Sequence, residues 1–226
     1  MKNKFIIIAV LFVSPFLIES CGNSSNSSTK NDVDSSMNHE MQNDSMNAGE
    51  MHMGNNMMQL MNNTMAKVNS MKLSGDFDLD FANMMIMHHQ AAIDMSGVEI
   101  AKGTDAQIKT MAQNIVTAQK AEIDQLQQFV KNYKMPEMKN MKKELHNEFG
   151  ETMNAMMDKM NSMQMTGNTD KDFVTMMITH HESAVKMAED ELSHGKQNEL
   201  KTMAQKMIKD QSKEITDFNA WLAKQK

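Results

Sequence analysis

Two short runs, Met84-Met85-Ile86-Met87-His88-His89 and Met176-Met177-Ile178-Thr179-His180-His181, set thioether beside imidazole twice in one chain. Thioether sulfur is a soft donor suited to Cu(I), and imidazole serves copper equally well. On a helical wheel at about 100° per residue, Phe81, Met84, His88, Ala91, Ala92, Met95 and Glu99 share one face. Phe173, Met176, His180, Ser183, Ala184, Met187 and Glu191 share the matching face. Met84 and His88 are one turn apart, as are Met95 and Glu99, so neighbouring side chains can share one ion. His89 and His181 point about 100° away and reach a common centre only with help from another helix. The candidate metal ligands are thus Met84, Met85, His88, His89 and Met95, with Met176, Met177, His180, His181 and Met187. Glu99, Glu122, Glu191 and Glu214 are candidate carboxylate partners. The competing structural reading makes His88 and His180 core residues hydrogen-bonded to Glu122 or Glu214.

A further set of donors lies nearer the N-terminus: Met37, His39, Met41, Met46, Met51, His52 and Met53. Residues 31–56 hold almost no branched apolar side chain and cannot bury a core, so packing does not explain methionines there. A mobile strand carrying thioether and imidazole can wrap a copper ion, and Met51-His52-Met53 is its densest cluster. For most methionines on the helices outside the His-His runs, packing is the simpler explanation.

Composition narrows the function classes. Of 226 residues, 30 are Met, far more than a core needs for filling gaps. The net charge is −6, and all 23 basic residues are Lys. An acidic chain without Arg is poorly equipped to grip phosphate or nucleic acid. One Cys excludes an internal disulfide and a multi-cysteine zinc site. With only 2 Pro and 9 Gly, an all-β chain is disfavoured. No Ser-His-Asp arrangement stands out.

The elements that position the donors come from a duplication. Residues 57–134 match 149–226 at a constant offset of 92 without a gap. Lys109-Thr110-Met111-Ala112-Gln113 returns as Lys201-Thr202-Met203-Ala204-Gln205, and Gly103 as Gly195. In each repeat the periodicity predicts two long helices. The first runs from an Asp78 or Asp80 cap to about Lys102, and the second from about Asp105 to Tyr133. Their counterparts are Asp172 to His194 and about Gln197 to Ala223. A shorter Met-rich helix precedes each pair, carrying Met57, Met58, Met61, Met65, Val68 and Met71 in one case. In the other it starts after Pro136 and carries Met138 through Met163. Two hairpins of this kind predict an all-α four-helix bundle with the Met-rich helices at its side or end.

The N-terminus reads as an export signal. Lys2 and Lys4 precede an apolar run from Phe5 to Ile18, too short to span a membrane and suited to a signal peptide. Ile18-Glu19-Ser20-Cys21-Gly22 resembles a bacterial lipobox, with Glu19 departing from the usual pattern. Lipidation at Cys21 would hold the chain on a membrane surface without a spanning helix. The expected organisation is therefore a signal peptide at 1–20, a lipid-anchored tail at 21–56, repeats at 57–134 and 149–226, and a linker at 135–148. The expected location is the cell envelope: the outer membrane facing the periplasm, or the cell surface.

The paired Met-Met-Ile-x-His-His motifs, each followed by x-x-Ala-x-x-Met and a Met-Ala-Gln helix, resemble an exported bacterial family catalogued as domain of unknown function 305. The resemblance covers about Phe77 to Leu222. It implies a ferritin-like four-helix bundle and an association with copper handling. Where the family commonly has Pro after Ile, this chain has Met87 and Thr179. A di-iron centre does not follow, since it needs Glu-x-x-His pairs on facing helices. The reading reached is a lipoprotein binding Cu(I), and its analogue Ag(I), for sequestration, storage or resistance, without catalysis. A copper exporter or another envelope copper protein is the expected partner, and a homo-oligomer is compatible. The alternatives are a ferritin-like iron or copper oxidase using His88, His180, Glu122 and Glu214 with Glu99 and Glu191, and a structural module whose methionines only pack or scavenge oxidants.

Overall fold

A computed structural model describes residues 51–136 and 147–225, with 51–55 and 147 described by backbone alone. Within them run α1 (Met51–Ser70), α2 (Phe77–Lys102), α3 (Ala106–Asn132), α4 (Asn147–Asn161), α5 (Thr169–His194) and α6 (Asn198–Leu222). The described residues contain no strand, and none of their helices is long and apolar enough to cross a membrane. Cys21, the apolar run before it, and Met37, His39, Met41, Met46, Met138 and Met141 lie outside the described residues.

The long helices form two hairpins, α2 with α3 and α5 with α6, and α2 packs on α5 to join them. The short helices sit at the side: α1 against α2, α4 and α5, and α4 against α5. This is the four-helix bundle with flanking Met-rich helices that the duplicated pattern predicts. α1 begins at Met51, so Met51, His52 and Met53 belong to its first turn rather than to the tail.

The helix starts differ from the expected ones, for a physical reason. Asp76, not Asp78 or Asp80, caps α2 by accepting the Leu79 N–H at 3.1 Å. Asn168, not Asp172, caps α5 by accepting the Lys171 N–H at 2.9 Å. Asp80 instead accepts the N–H groups of Ser74 and Gly75, and Asp172 those of Thr166 and Gly167. Gly75 and Gly167 have φ of 87° and 80°, a backbone region that Gly enters freely.

Asp78 and Asp170 reach across the bundle. Asp170, in the first turn of α5, accepts the N–H groups of Thr104 and Asp105 at 2.9 and 2.8 Å, closing the turn between α2 and α3. Asp78, in the first turn of α2, accepts those of Lys196 and Gln197 at 2.8 and 2.7 Å, closing the turn between α5 and α6. Each repeat therefore completes the other's turn, which also sets α2 and α5 antiparallel. Trp221 adds a further tie, donating its Nε1–H to Asp105 at 3.0 Å.

Methionine fills much of the core. Met57, Met61 and Met65 recur every fourth residue on the buried side of α1. Met153, Met156, Met157 and Met160 do the same on α4, around Phe149, whose ring lies 4.6 Å from that of Phe77. For these residues burial of a flexible apolar side chain is sufficient explanation.

Candidate metal centre

The predicted inward face of α2 is buried as expected, with His88, Ala91, Ala92, Met95 and Glu99 fully enclosed and Phe81 and Met84 beside them. On α5, Phe173, Met176, His180, Ala184, Met187 and Glu191 are fully enclosed too. Met85 and Met177 join the same hydrophobic cluster. Because α2 and α5 pack together, the two inward histidines meet near the pseudo-twofold axis. The rings of His88 and His180 have centroids 3.7 Å apart and planes tilted by 38°.

None of the four ring nitrogens of this pair has a hydrogen-bond partner. Burial, and then the neighbouring imidazoles, depress the pKa of both far below the usual histidine value, so both rings are neutral. A neutral imidazole left without partners in an apolar interior costs about 1–3 kcal/mol for each unpaired group. The reading of His88 and His180 as hydrogen-bonded core residues is thereby corrected. What the fold presents instead is two deprotonated imidazole lone pairs among buried thioethers, a donor set that fits a soft cation.

The second histidine of each pair points to the flank. His89 Nε2 lies 2.9 Å from Glu122 Oε2 on α3. His181 Nε2 lies 2.8 Å from Glu214 Oε2 on α6, at ion-pair distance but off hydrogen-bond alignment. The carboxylates expected for His88 and His180 thus serve the adjacent histidines, whose rotation of about 100° aims them at the hairpin partner. His88 and His89 have centroids 6.5 Å apart, and His180 and His181 6.2 Å. Four imidazoles therefore form a row through the bundle, with a carboxylate at each outer end.

Glu99 and Glu191 are not part of this row. Glu99 lies by the turn that Asp170 closes, and Glu191 by the turn that Asp78 closes. A Cβ at Gly103 would sit 1.9 Å from Glu99 Oε1, and one at Gly195 would sit 2.1 Å from Glu191 Oε1. The repeated glycines are there to admit the carboxyl groups. Burial and the adjacent Asp170 raise the pKa of Glu99 to about 8. Burial and the charge of Asp78 raise that of Glu191 to about 9. Both are protonated at neutral pH, and they carry no charge to a metal. Among the described residues no group of three or more His, Cys, Asp or Glu side chains is placed to hold a metal ion. The carboxylates needed for a hard-metal oxidase site are not brought to one point.

Sequence reasoning does not find Lys206, whose Nζ lies 2.8 Å from Glu122 Oε1, nor the roles of Asp78 and Asp170. The duplication carries a signal for the latter, because Asp78 and Asp170 stand at equivalent positions.

No curated protein matches the chain. Among solved structures, CopM in the Cu(II)-bound form is 30 % identical, with 66 % of this chain and 97 % of CopM covered at a TM-score of 0.50. CopM in the Cu(I)-bound form is 28 % identical, covering 65 % and 96 % at a TM-score of 0.47. A DUF305 crystal structure from Streptomyces coelicolor is 22 % identical, covering 67 % and 94 % at a TM-score of 0.53, a likeness of fold. The model of the family described as domain of unknown function (DUF305) matches residues 21–130 and again 78–222. Two overlapping matches spanning both repeats establish that the chain belongs to the DUF305 family.

Proposed function

We propose that this protein holds copper as cargo, in the form of Cu(I) with Ag(I) as its chemical analogue, for sequestration, storage or resistance in the cell envelope. The observation that carries the reading is the buried His88–His180 pair, neutral and without any hydrogen-bond partner. A purely structural pair would cost stability with no return, whereas a soft cation would satisfy both rings. Met84, Met95, Met176 and Met187 share the buried faces of the same helices and would supply sulfur. His89 and His181, with Met85 and Met177, would complete the donor set, and the Met/His segment before α1 would add a second collector. The 30 % identical CopM in its Cu(II)-bound form supports copper as the metal. No catalytic step is assigned. Lipidation at Cys21 would keep the cargo at a membrane surface, where a copper exporter or another envelope copper protein would receive it.

The test is anaerobic titration of the mature protein with Cu(I) and Zn(II), read by mass spectrometry and chelator competition. Replacing Met84, Met95, Met176 and Met187 together with Leu nearly conserves volume, at usually under about 1.5 kcal/mol per site, and deletes the sulfur. Weaker Cu(I) binding is expected, with little change in Zn(II) binding or in the apo melting temperature. The pair His88→Gln and His180→Gln should remove tight Cu(I) sites while the helical fold persists. Undiminished Cu(I) affinity in both variants would return these residues to the core and overturn the reading.

A further inference from the structure

The two outer ends of the imidazole row are not equivalent. At one end Glu122, only 9 % exposed, is held twice, by His89 Nε2 at 2.9 Å and by Lys206 Nζ at 2.8 Å. At the other end Glu214 is 26 % exposed, and among the described residues His181 is its one partner at ion-pair distance. The repeat offset shows the source of the difference. The counterpart of Lys206 is Asn114, an exposed residue without charge. Asp210, which steadies the Lys206 ammonium at 2.9 Å, has Ala118 as its counterpart. Lys213 stands next to Glu214 in sequence, but its ammonium is turned to Asp217 at 2.6 Å.

These placements decide how a cation meets the row. At Glu122 the carboxylate is already occupied by an ammonium, which an incoming cation must displace against like-charge repulsion. At Glu214 the carboxylate is partly open to solvent and has no ammonium at ion-pair distance among the described residues; Lys213 feels its charge but is held by Asp217. A negative group at the mouth of a low-dielectric interior concentrates cations. Behind Glu214 lies His181, with Nδ1 unpartnered, and then the unpartnered nitrogens of His180 and His88. We infer that soft monovalent cations reach the buried imidazoles from the Glu214–His181 side, and that Lys206 closes the Glu122–His89 side. The ion exchanges one ligand for the next and keeps its oxidation state throughout. The inference rests on the copper-cargo reading, and adds to it a direction and a lock.

The test uses the full mature chain and Cu(I) delivered anaerobically from a coloured chelator complex. The loading rate is read from absorbance and the final load from mass spectrometry. Asn114→Lys should close the open side and slow loading by about tenfold or more, the low end of electrostatic steering effects, at unchanged final load. Lys206→Asn alone should open the second side and speed loading. Both residues are exposed, so the fold is not at stake. In the wild-type background Glu214→Gln should slow loading more than Glu122→Gln does. In the Asn114→Lys, Lys206→Asn double variant that ranking should reverse. Rates indifferent to the position of the lysine, or equal slowing by the two Glu→Gln changes, would overturn the directional inference and leave the copper reading intact. A wild-type chain that takes up no Cu(I) at all would overturn both.

Discussion

Two kinds of buried titratable residue pull stability in opposite directions with pH. His88 and His180 are neutral in the fold and titrate near 6.5 when unfolded, so their contribution is present above about pH 6.5 and is lost as pH falls. Glu99 and Glu191 have pKa values raised to about 8 and about 9. Their contribution is full below about pH 4.5 and is lost as pH rises through 8 to 9. Asp170 and Asp105 face Glu99 and oppose its ionisation, while Lys109 favours it; Asp78 and Asp76 oppose that of Glu191, and Lys201 favours it. Of these four residues only the glutamates still lose stability above pH 6.5, so they are expected to lower the apo melting temperature between pH 6.5 and 9. Glu99→Gln with Glu191→Gln keeps the shape and removes the ionisation. Thermal melts of this variant should show that fall largely abolished, with higher stability than wild type at pH 9.

At the level of the helices, the cross-repeat aspartates offer the sharpest probe. Asp170→Ala strands the N–H groups of Thr104 and Asp105, and Asp78→Ala those of Lys196 and Gln197. Each change is expected to cost about 1–3 kcal/mol, measured by denaturant unfolding, while Asp94→Ala, at a half-buried position of α2 where the carboxylate accepts only from Gln90 on the same helix among the described residues, should cost far less. These same residues mark the boundary of what sequence periodicity reveals. The buried face of α2 follows from its 3.6-residue repeat, because every member from Phe81 to Glu99 answers to one local geometry. By sequence Asp78 and Asp80 are eligible helix caps. Asp78 is claimed by a turn 118 residues away, and its counterpart Asp170 by one 66 residues away. His88 and His89 pose the same problem in miniature. The wheel separates their directions, but only the position of α3 gives Glu122 to the second of them. Asn114 and Lys206 differ by one substitution within a repeat, and the electrostatic consequence appears only when α3 and α6 stand across from Glu214 and Glu122.

For the whole molecule, the chain combines an internally duplicated bundle with a Ser/Asn-rich stretch behind a single cysteine. If Cys21 carries the anchor, Cys21→Ser should shift the protein from the membrane fraction to the soluble one or halt its processing. Unchanged fractionation would remove the anchor from the proposal. The exchange of turn-closing aspartates has a consequence for descent. A chain with only one repeat could not finish its own hairpin, and would find the missing carboxylate only on a second copy of itself. Folding and pairing would be one event, and the two inward imidazoles would be the same residue seen across a dyad. Such an isologous pair must present identical faces, so any lysine placed at one mouth appears at the other. Joining the copies in one polypeptide lifts that constraint. The departure of Asn114 from Lys206 is a difference a symmetric dimer could never express, and it makes the two ends of the imidazole row a front and a back.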